Sequence, residues 1–281
     1  MSQLKITGLN IYPVKSMKGI ALDQARLTAT GLRHDRLWMV VRANGRFVTQ
    51  RDIPQLALVH TSLNEDGVTL SMEGHGSIAV PFDLFDGGSI ETEVWGDVCE
   101  TVDQGEDISR WLTRALGSED PLRLVRMNPG FTRPQNHAEI LGEETTTDFA
   151  DAAPFLVANE ASLDSLNSVL ESNALQSVPM NRFRPNIVVQ GLGPFAEHEL
   201  AGLAAERYQL KLRAPCERCV VTTIDQDTAE KDPQRQPFKT LATINPMPGK
   251  DKAPAFAQYA TLAGGAGQWI ELGDRIEAVS H

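Results

Sequence analysis

Cysteine is scarce in this chain, with three in 281 residues, too few for a disulfide framework. That scarcity implies a reducing, cytoplasmic setting in which thiols stay free. The six histidines, His34, His60, His75, His137, His198 and His281, include no pair at metal-ligand spacing. Cys216-x-x-Cys219 lacks a second CxxC or an HxxxH to complete a zinc site, so a zinc hydrolase is unsupported. No apolar run approaches the roughly 18–20 residues of a membrane span. The opening MSQLKITGLNIYPVKS reads as a strand from residue 4 onward rather than as a secretory signal. Positive charge is also in deficit, 26 Lys and Arg against 37 Asp and Glu, and the net charge of −11 argues against nonspecific binding to nucleic acid or an anionic membrane. Any oxyanion site must therefore be local.

Low-complexity tracts, internal repeats and long single-sign runs are absent too. With 41% hydrophobic and 22% charged residues, the chain is globular and long enough for two domains. Two glycine-rich stretches lack the mechanism of a nucleotide site. Gly191-Leu192-Gly193-Pro194-Phe195-Ala196 fits G-x-G-x-x-A, but Pro194 removes a phosphate-facing amide and no acidic residue ends a second strand at the required distance. TLAGGAG, residues 261–267, lacks the Lys-Ser/Thr of a P-loop.

The first 115 residues or so are mostly β, with LKITGLNIYPV, ARLTATG, LWMVVRANGRFVTQR, LALVHTSL and GVTLSM separated by turn pairs. Asn44-Gly45 signals a hairpin, and strands at this spacing suggest a barrel or sandwich. A helix is expected at about 105–116, where Ile108, Trp111, Leu112 and Leu116 share a face. The boundary is placed after Gly117, giving domains 1–117 and 118–281. A polar loop over about 128–147 follows, then a helix opened by Ala161-Ser162-Leu163 and running to about residue 171. PNIVVQG, YQLKLRA, CVVTTID and the terminal QWIELGDRIEAV read as strands, the last with Gly273-Asp274 as its turn. The fold class is mostly β, an α+β chain of two strand-rich, barrel-like domains with a few helices.

Three basic clusters fall on turns: Lys15-Ser16-Met17-Lys18, Arg33-His34-Asp35-Arg36, and Arg182-Phe183-Arg184-Pro185-Asn186. Guanidinium forks, ammonium point charges and a serine hydroxyl suit a phosphate or another oxyanion if they converge. Taken singly, each reads first as a solvated loop with a surface ion pair to Asp35 or Glu160; three together at strand ends of an acidic chain are more suggestive. Cys99, in VWGDVCETV, reads as a buried small hydrophobe.

The two remaining thiols lie in RAPCERCVVTTID. A thioredoxin-like couple needs a helix N-terminus behind the motif, and the β-branched run after Cys219 predicts a strand instead. Arg213 and Arg218 can favour a thiolate at one cysteine, a soft donor suited to a transition metal that brings other ligands of its own.

CERCVVTTIDQDTAEKD, continuing to PFKTL, resembles the cysteine-bearing signature of the MOSC family. YPVKSMKG, GLRHDRLWMVV, TQRDIPQL, VWGD, DAAPFLVANEASL and RFRPNIVV are similar to blocks of the amidoxime-reducing components and their bacterial YcbX-like relatives. The resemblance implies a MOSC N-terminal β-barrel-like domain and a MOSC domain that together hold a molybdenum cofactor. It implies Cys219 as metal ligand, with Cys216 the fallback, and Asp151 as an active-site carboxylate that orients substrate or relays a proton. Lys15, Ser16, Arg36, Arg184, Asn186 and Arg218 would contact the cofactor. Ala153 stands where the family often has serine, which removes a hydroxyl contact. Longer bacterial relatives carry a ferredoxin domain, and three cysteines cannot supply its four ligands. The implied chemistry is detoxifying reduction of hydroxylamines, amidoximes or N-hydroxy nucleobases, with no iron–sulfur cluster here and electrons from a separate ferredoxin- or flavoprotein-type partner. Two other readings stay open: a non-catalytic carrier of molybdenum cofactor, and a metal-free thiol-redox or persulfide carrier.

Overall fold

Along Gln3–Ile11, buried Leu4 and Ile6 alternate with exposed Gln3 and Lys5, the two-residue period of a strand with one face on a core. A register shift between Ile6 and Gly8 then moves burial to Leu9 and Ile11. The computed structural model describes residues 3–84, 87–133 and 137–281. Within them a seven-stranded sheet closes on itself in the order Phe155–Asn159, Ile187–Gln190, Gln3–Ile11, Arg275–Ser280, Leu200–Ala204, Gln209–Glu217, Lys250–Gly264, which returns to the first. Its interior is filled by side chains such as Leu4, Ile6, Phe155, Val157, Leu210 and Ile276. The one parallel pairing in this ring, Phe155–Asn159 with Ile187–Gln190, is bridged by the helix Glu160–Ser172, N-capped by the Asn159 side chain.

A second, four-stranded sheet orders Trp38–Arg42, Leu122–Met127, Asp97–Asp103 and Ser89–Val94. With the three-stranded meander of residues 60–81, it packs on the helix Glu106–Ala115. That helix buries Ile108, Trp111 and Leu112, and Leu116 at its C-cap is buried too, the apolar stripe expected from sequence. Strand pairing crosses residue 117 in both directions. Gln3–Ile11 completes the barrel of the C-terminal half, while Leu122–Met127, beyond the expected boundary, pairs with Trp38–Arg42 and Asp97–Asp103.

Other expectations need correction. The CVVTTID segment is not a strand, because the strand ends at Glu217 and Val220–Thr223 forms one 3-10 turn. The threonine hydroxyls close it locally, Thr222 Oγ1 donating to Cys219 O at 3.0 Å and Thr223 Oγ1 to Val220 O at 2.7 Å. LALVHTSL yields a strand only over His60–Leu63, since Pro54–Leu58 is a 3-10 helix. The hairpin turn at Asn44-Gly45 exists, with Gly45 N donating to Arg42 O, but its second arm forms isolated bridges, Phe47 to Val41 and Arg46 to Glu93, rather than a strand. Trp269–Glu271 pairs with Gln24–Thr28 rather than with Arg275–Ser280 across Gly273-Asp274. Of the polar loop expected over 128–147, residues 134–136 lie outside the described residues.

Candidate active site

The three basic turns converge. Lys15, Ser16, Arg36, Asp151, Arg184, Asn186, Arg218 and Cys219 line one cleft between the four-stranded sheet and the end of the barrel. Every site residue expected from the sequence is therefore brought to the same place.

Backbone shape aims them. Ser16, Arg36, Trp95 and Arg184 all line the cleft with positive φ, at 68°, 50°, 56° and 54°. A non-glycine residue in the left-handed region costs about 1–2 kcal/mol. Repeated four times around one cavity, that cost points to side-chain placement rather than to turn propensity. Gly31, at φ 132°, lets the chain before Arg36 press against the segment after Asp151, since a Cβ there would sit 2.7 Å from Pro154 O.

Arg36 and Arg184 are held by the buried ring of Tyr12, their guanidinium carbons 4.3 and 4.1 Å from its centroid. Arg36 pairs with Asp35 at 2.5 Å, and Asp35 also accepts from Tyr12 N at 2.8 Å. The side chains of this pair are only 13% and 2% exposed, so the surface ion pair considered from sequence is in fact internal. Arg184 donates to Met17 O at 2.7 Å, tying the barrel end to the first basic turn. Burial pushes the Tyr12 hydroxyl up to about 12 against the pull of Arg184 and Arg36. The ring thus stays neutral.

Lys15 donates to Phe149 O at 2.7 Å and to Asp151 Oδ1 at 2.5 Å. Burial lowers its pKa, and the Asp151 carboxylate opposes that shift. Burial alone would raise the Asp151 carboxyl, but the Lys15 ammonium and hydrogen bonds from Lys15 and Trp95 hold it well below the usual carboxylate range. Near neutral pH Asp151 is an anion, a hydrogen-bond acceptor with no proton to supply. Trp95 Nε1 donates to the same Oδ1 at 3.0 Å, and Oδ2 takes no hydrogen bond among the described residues.

The two cysteines of the motif differ in access. Cys216 is buried among Phe183, Phe256 and Leu241, and its Sγ accepts from Arg218 Nη1 at 2.9 Å. Burial raises its pKa, with Arg218 opposing. Cys219 is exposed. Cys99 is fully buried, as expected, and burial pushes its thiol up to about 11. Asn186 lines the cleft, yet its amide is engaged in joining strands: Oδ1 accepts from Leu156 N and Nδ2 donates to Asn10 O.

Sequence reasoning missed Tyr12, Trp95, Arg51 and Tyr259. Tyr12 and the cleft residues Trp95 and Arg51 sat inside the recognised blocks YPVKSMKG, VWGD and TQRDIPQL, but no role was attached to them. Tyr259 is separated from the motif by a whole hairpin arm and meets Cys216 through the pairing of Gln209–Glu217 with Lys250–Gly264.

Behind the cleft, Asp148 titrates unusually. Burial, reinforced by Asp35, pushes its carboxyl up to about 6, against a Thr30 hydrogen bond and Arg126. The folded chain therefore binds this proton more tightly than the unfolded chain does. Stability from this group is full at low pH and is lost as pH rises from about 4 to about 6. Equilibrium urea unfolding should show a decline of about 2 kcal/mol over that window that Asp148→Asn flattens.

No group of three or more His, Cys, Asp or Glu side chains is arranged to hold a metal ion among the described residues. One thiol plus cations suits only a metal group that carries its own ligands and an anionic part. Two observations fit such a group: Arg218 Nε is buried without a partner, and the Ser16 hydroxyl makes no hydrogen bond among the described residues. Among the described residues that line the cleft, Lys15, Arg36, Arg51, Arg184 and Arg218 stand against one carboxylate, Asp151, with Asp35 paired to Arg36 beside them, an excess of positive charge in an acidic protein.

No helix among the described residues is long and apolar enough to cross a membrane. Comparison with known proteins matches residues 3–119 to the MOSC N-terminal beta barrel domain and residues 144–277 to the MOSC domain. Mitochondrial amidoxime-reducing component 1 of Homo sapiens is 34% identical over 283 residues, covering 96% of this chain and 82% of that protein. Mitochondrial amidoxime reducing component 2 of Bos taurus is 34% identical, covering 92% and 78% respectively. Molybdenum cofactor sulfurase of Danio rerio is 31% identical over 86% of this chain but only 30% of its own length. Both domain matches in order, with such identity along nearly its full length, show that the chain belongs to the MOSC-domain family, with the amidoxime-reducing components among its relatives.

Proposed function

We infer that this protein is a molybdenum-cofactor-dependent reductase of N-hydroxylated compounds, supplied with electrons by a separate ferredoxin- or flavoprotein-type protein. The reading rests on one observation above others: an exposed thiol, Cys219, shares a cleft with cationic turns from both halves of the chain. The names of the relatives supply the substrate class, since amidoxime reduction is what they describe. When bound, the molybdenum cofactor supplies a two-electron couple for oxygen removal. In the net reaction the substrate N–O bond breaks, and two electrons and two protons yield the N–H product and water.

Each residue then has a task. Cys219 completes the metal's ligand set. Arg36, Arg184 and Arg218, with the Ser16 hydroxyl, neutralise and orient the anionic part of the cofactor. Lys15 fixes Asp151, which accepts a hydrogen bond from substrate at Oδ2 and so orients it. Asn186 acts by holding the turn that carries Arg184. Cysteine usage supports a reducing, cytoplasmic location, whereas the relatives' names place those proteins in mitochondria.

A carrier that stores or hands on the cofactor is the second reading, favoured by the match to molybdenum cofactor sulfurase. Turnover separates the two. Protein expressed with an intact cofactor pathway should convert benzamidoxime to benzamidine with a chemical electron donor, and Lys15→Met should lower kcat/KM by about 100-fold or more. Bound cofactor without conversion would establish the carrier instead.

A further inference from the structure

Trp95 is a large aromatic residue in a place where folding does not ask for one. It occupies, with Gly96, the two-residue loop between the strands Ser89–Val94 and Asp97–Asp103, where Val94 pairs with Asp97. Both loop residues have positive φ, 56° and 91°, the primed turn for which asparagine and glycine are suited. Trp95 joins none of the buried clusters and is 45% exposed at the mouth of the cleft. Its orientation is nevertheless fixed. Nε1 donates to Asp151 Oδ1 at 3.0 Å, the Phe47 ring meets it edge-on at 5.2 Å, and the Arg51 guanidinium lies 4.6 Å from its centroid. Beside it, Asp151 Oδ2 is an open acceptor among the described residues.

We propose that Trp95 and Asp151 form a substrate-recognition subsite, in which the exposed indole stacks on a planar N–C–N group while Asp151 Oδ2 accepts its N–H. The ligand class is a planar N-hydroxylated amidine. A flat π-system gains most from an oriented indole, and an anionic acceptor discriminates in favour of an N–H donor over an analogue without one. The proposal deepens the reductase reading and rests on it for the identity of the substrate.

The test compares Trp95→Asn, which suits the turn but loses the ring, with Trp95→Phe, which keeps a ring but loses the N–H. With benzamidoxime and a chemical electron donor, Trp95→Asn should raise KM about tenfold and leave kcat within about threefold. Its thermal midpoint should stay at or above that of the wild type, and Trp95→Phe should recover most of the KM loss. Benzaldoxime, planar but without the amino group, should bind the wild type more weakly than benzamidoxime in calorimetry. An unchanged KM in Trp95→Asn overturns the proposal. So does a Trp95→Phe as impaired as Trp95→Asn, which would leave the indole only a support for Asp151, and so does a fall in kcat and thermal midpoint together. If the wild type fails to reduce any amidoxime, the reductase reading fails on its own. Calorimetric binding of benzamidoxime to wild type and Trp95→Asn then decides the subsite, with equal affinities overturning it.

Discussion

Cys219→Ala is expected to yield a folded protein that retains less than about a tenth of the wild-type molybdenum when expressed with an intact cofactor pathway. The side chain is exposed in the cleft and belongs to no buried cluster, so its truncation removes the proposed ligand without opening a cavity. Cys216→Ala should behave differently. That thiol packs in a core cluster and accepts from Arg218, so its loss should lower stability by about 1 kcal/mol and leave most of the metal in place. Elemental analysis and pterin fluorescence of the three purified proteins decide the matter. Retention by Cys219→Ala with loss in Cys216→Ala would transfer the ligand role to Cys216. Wild type as empty as both variants would remove the basis for any cofactor reading.

The second large effect concerns a pair outside the cleft. Arg133 and Asp97 form an ion pair at 2.7 Å with side chains 5% and 4% exposed. Arg133 also donates to Asp148 O at 3.1 Å and Ala150 O at 2.7 Å, the backbone on either side of Phe149 and just before Asp151. One guanidinium thus clamps the loop bearing Asp151 to the hairpin bearing Trp95. Asp97→Ala leaves a buried cation without its carboxylate and should cost about 3–5 kcal/mol, roughly 10 °C in thermal midpoint. Amide exchange should accelerate first at residues 148–151. The double replacement Asp97→Leu with Arg133→Met should regain much of that stability, because it is the stranded charge that is costly. A single variant that melts with the wild type would show that the clamp has no structural weight.

The strand-rich, barrel-forming fold class and the basic turns were legible in the sequence, whereas the strand partners were not. Basic residues beside glycine, proline and serine mark turns, and an acidic chain makes such clusters conspicuous; recognised motifs supplied the rest of the eight cleft residues. Trp95 escaped because its position contradicts turn chemistry, and local rules read tryptophan as strand. Tyr12 escaped because holding two guanidiniums is a tertiary role without a local pattern. Val220–Thr223 misled through β-branching: high strand propensity yields where threonine hydroxyls satisfy nearby carbonyls. Strand existence was mostly readable from alternation, whereas partners were not. Nothing near Gln3–Ile11 announces that it lies between Ile187–Gln190 and Arg275–Ser280.

That placement bears on how the chain matures during synthesis. Gln3–Ile11 leaves the ribosome long before its two neighbours in the ring, Ile187–Gln190 and Arg275–Ser280, are made. Until then its backbone donors and acceptors have only the short Ile20–Ala21 strand beside them. Ring closure is a late, long-range event, slow by the loop entropy it must overcome and open to chaperone capture meanwhile. The cationic cleft is thereby completed late, since the turn at Lys15 and the turn at Arg184 meet only across a strand that has found both partners.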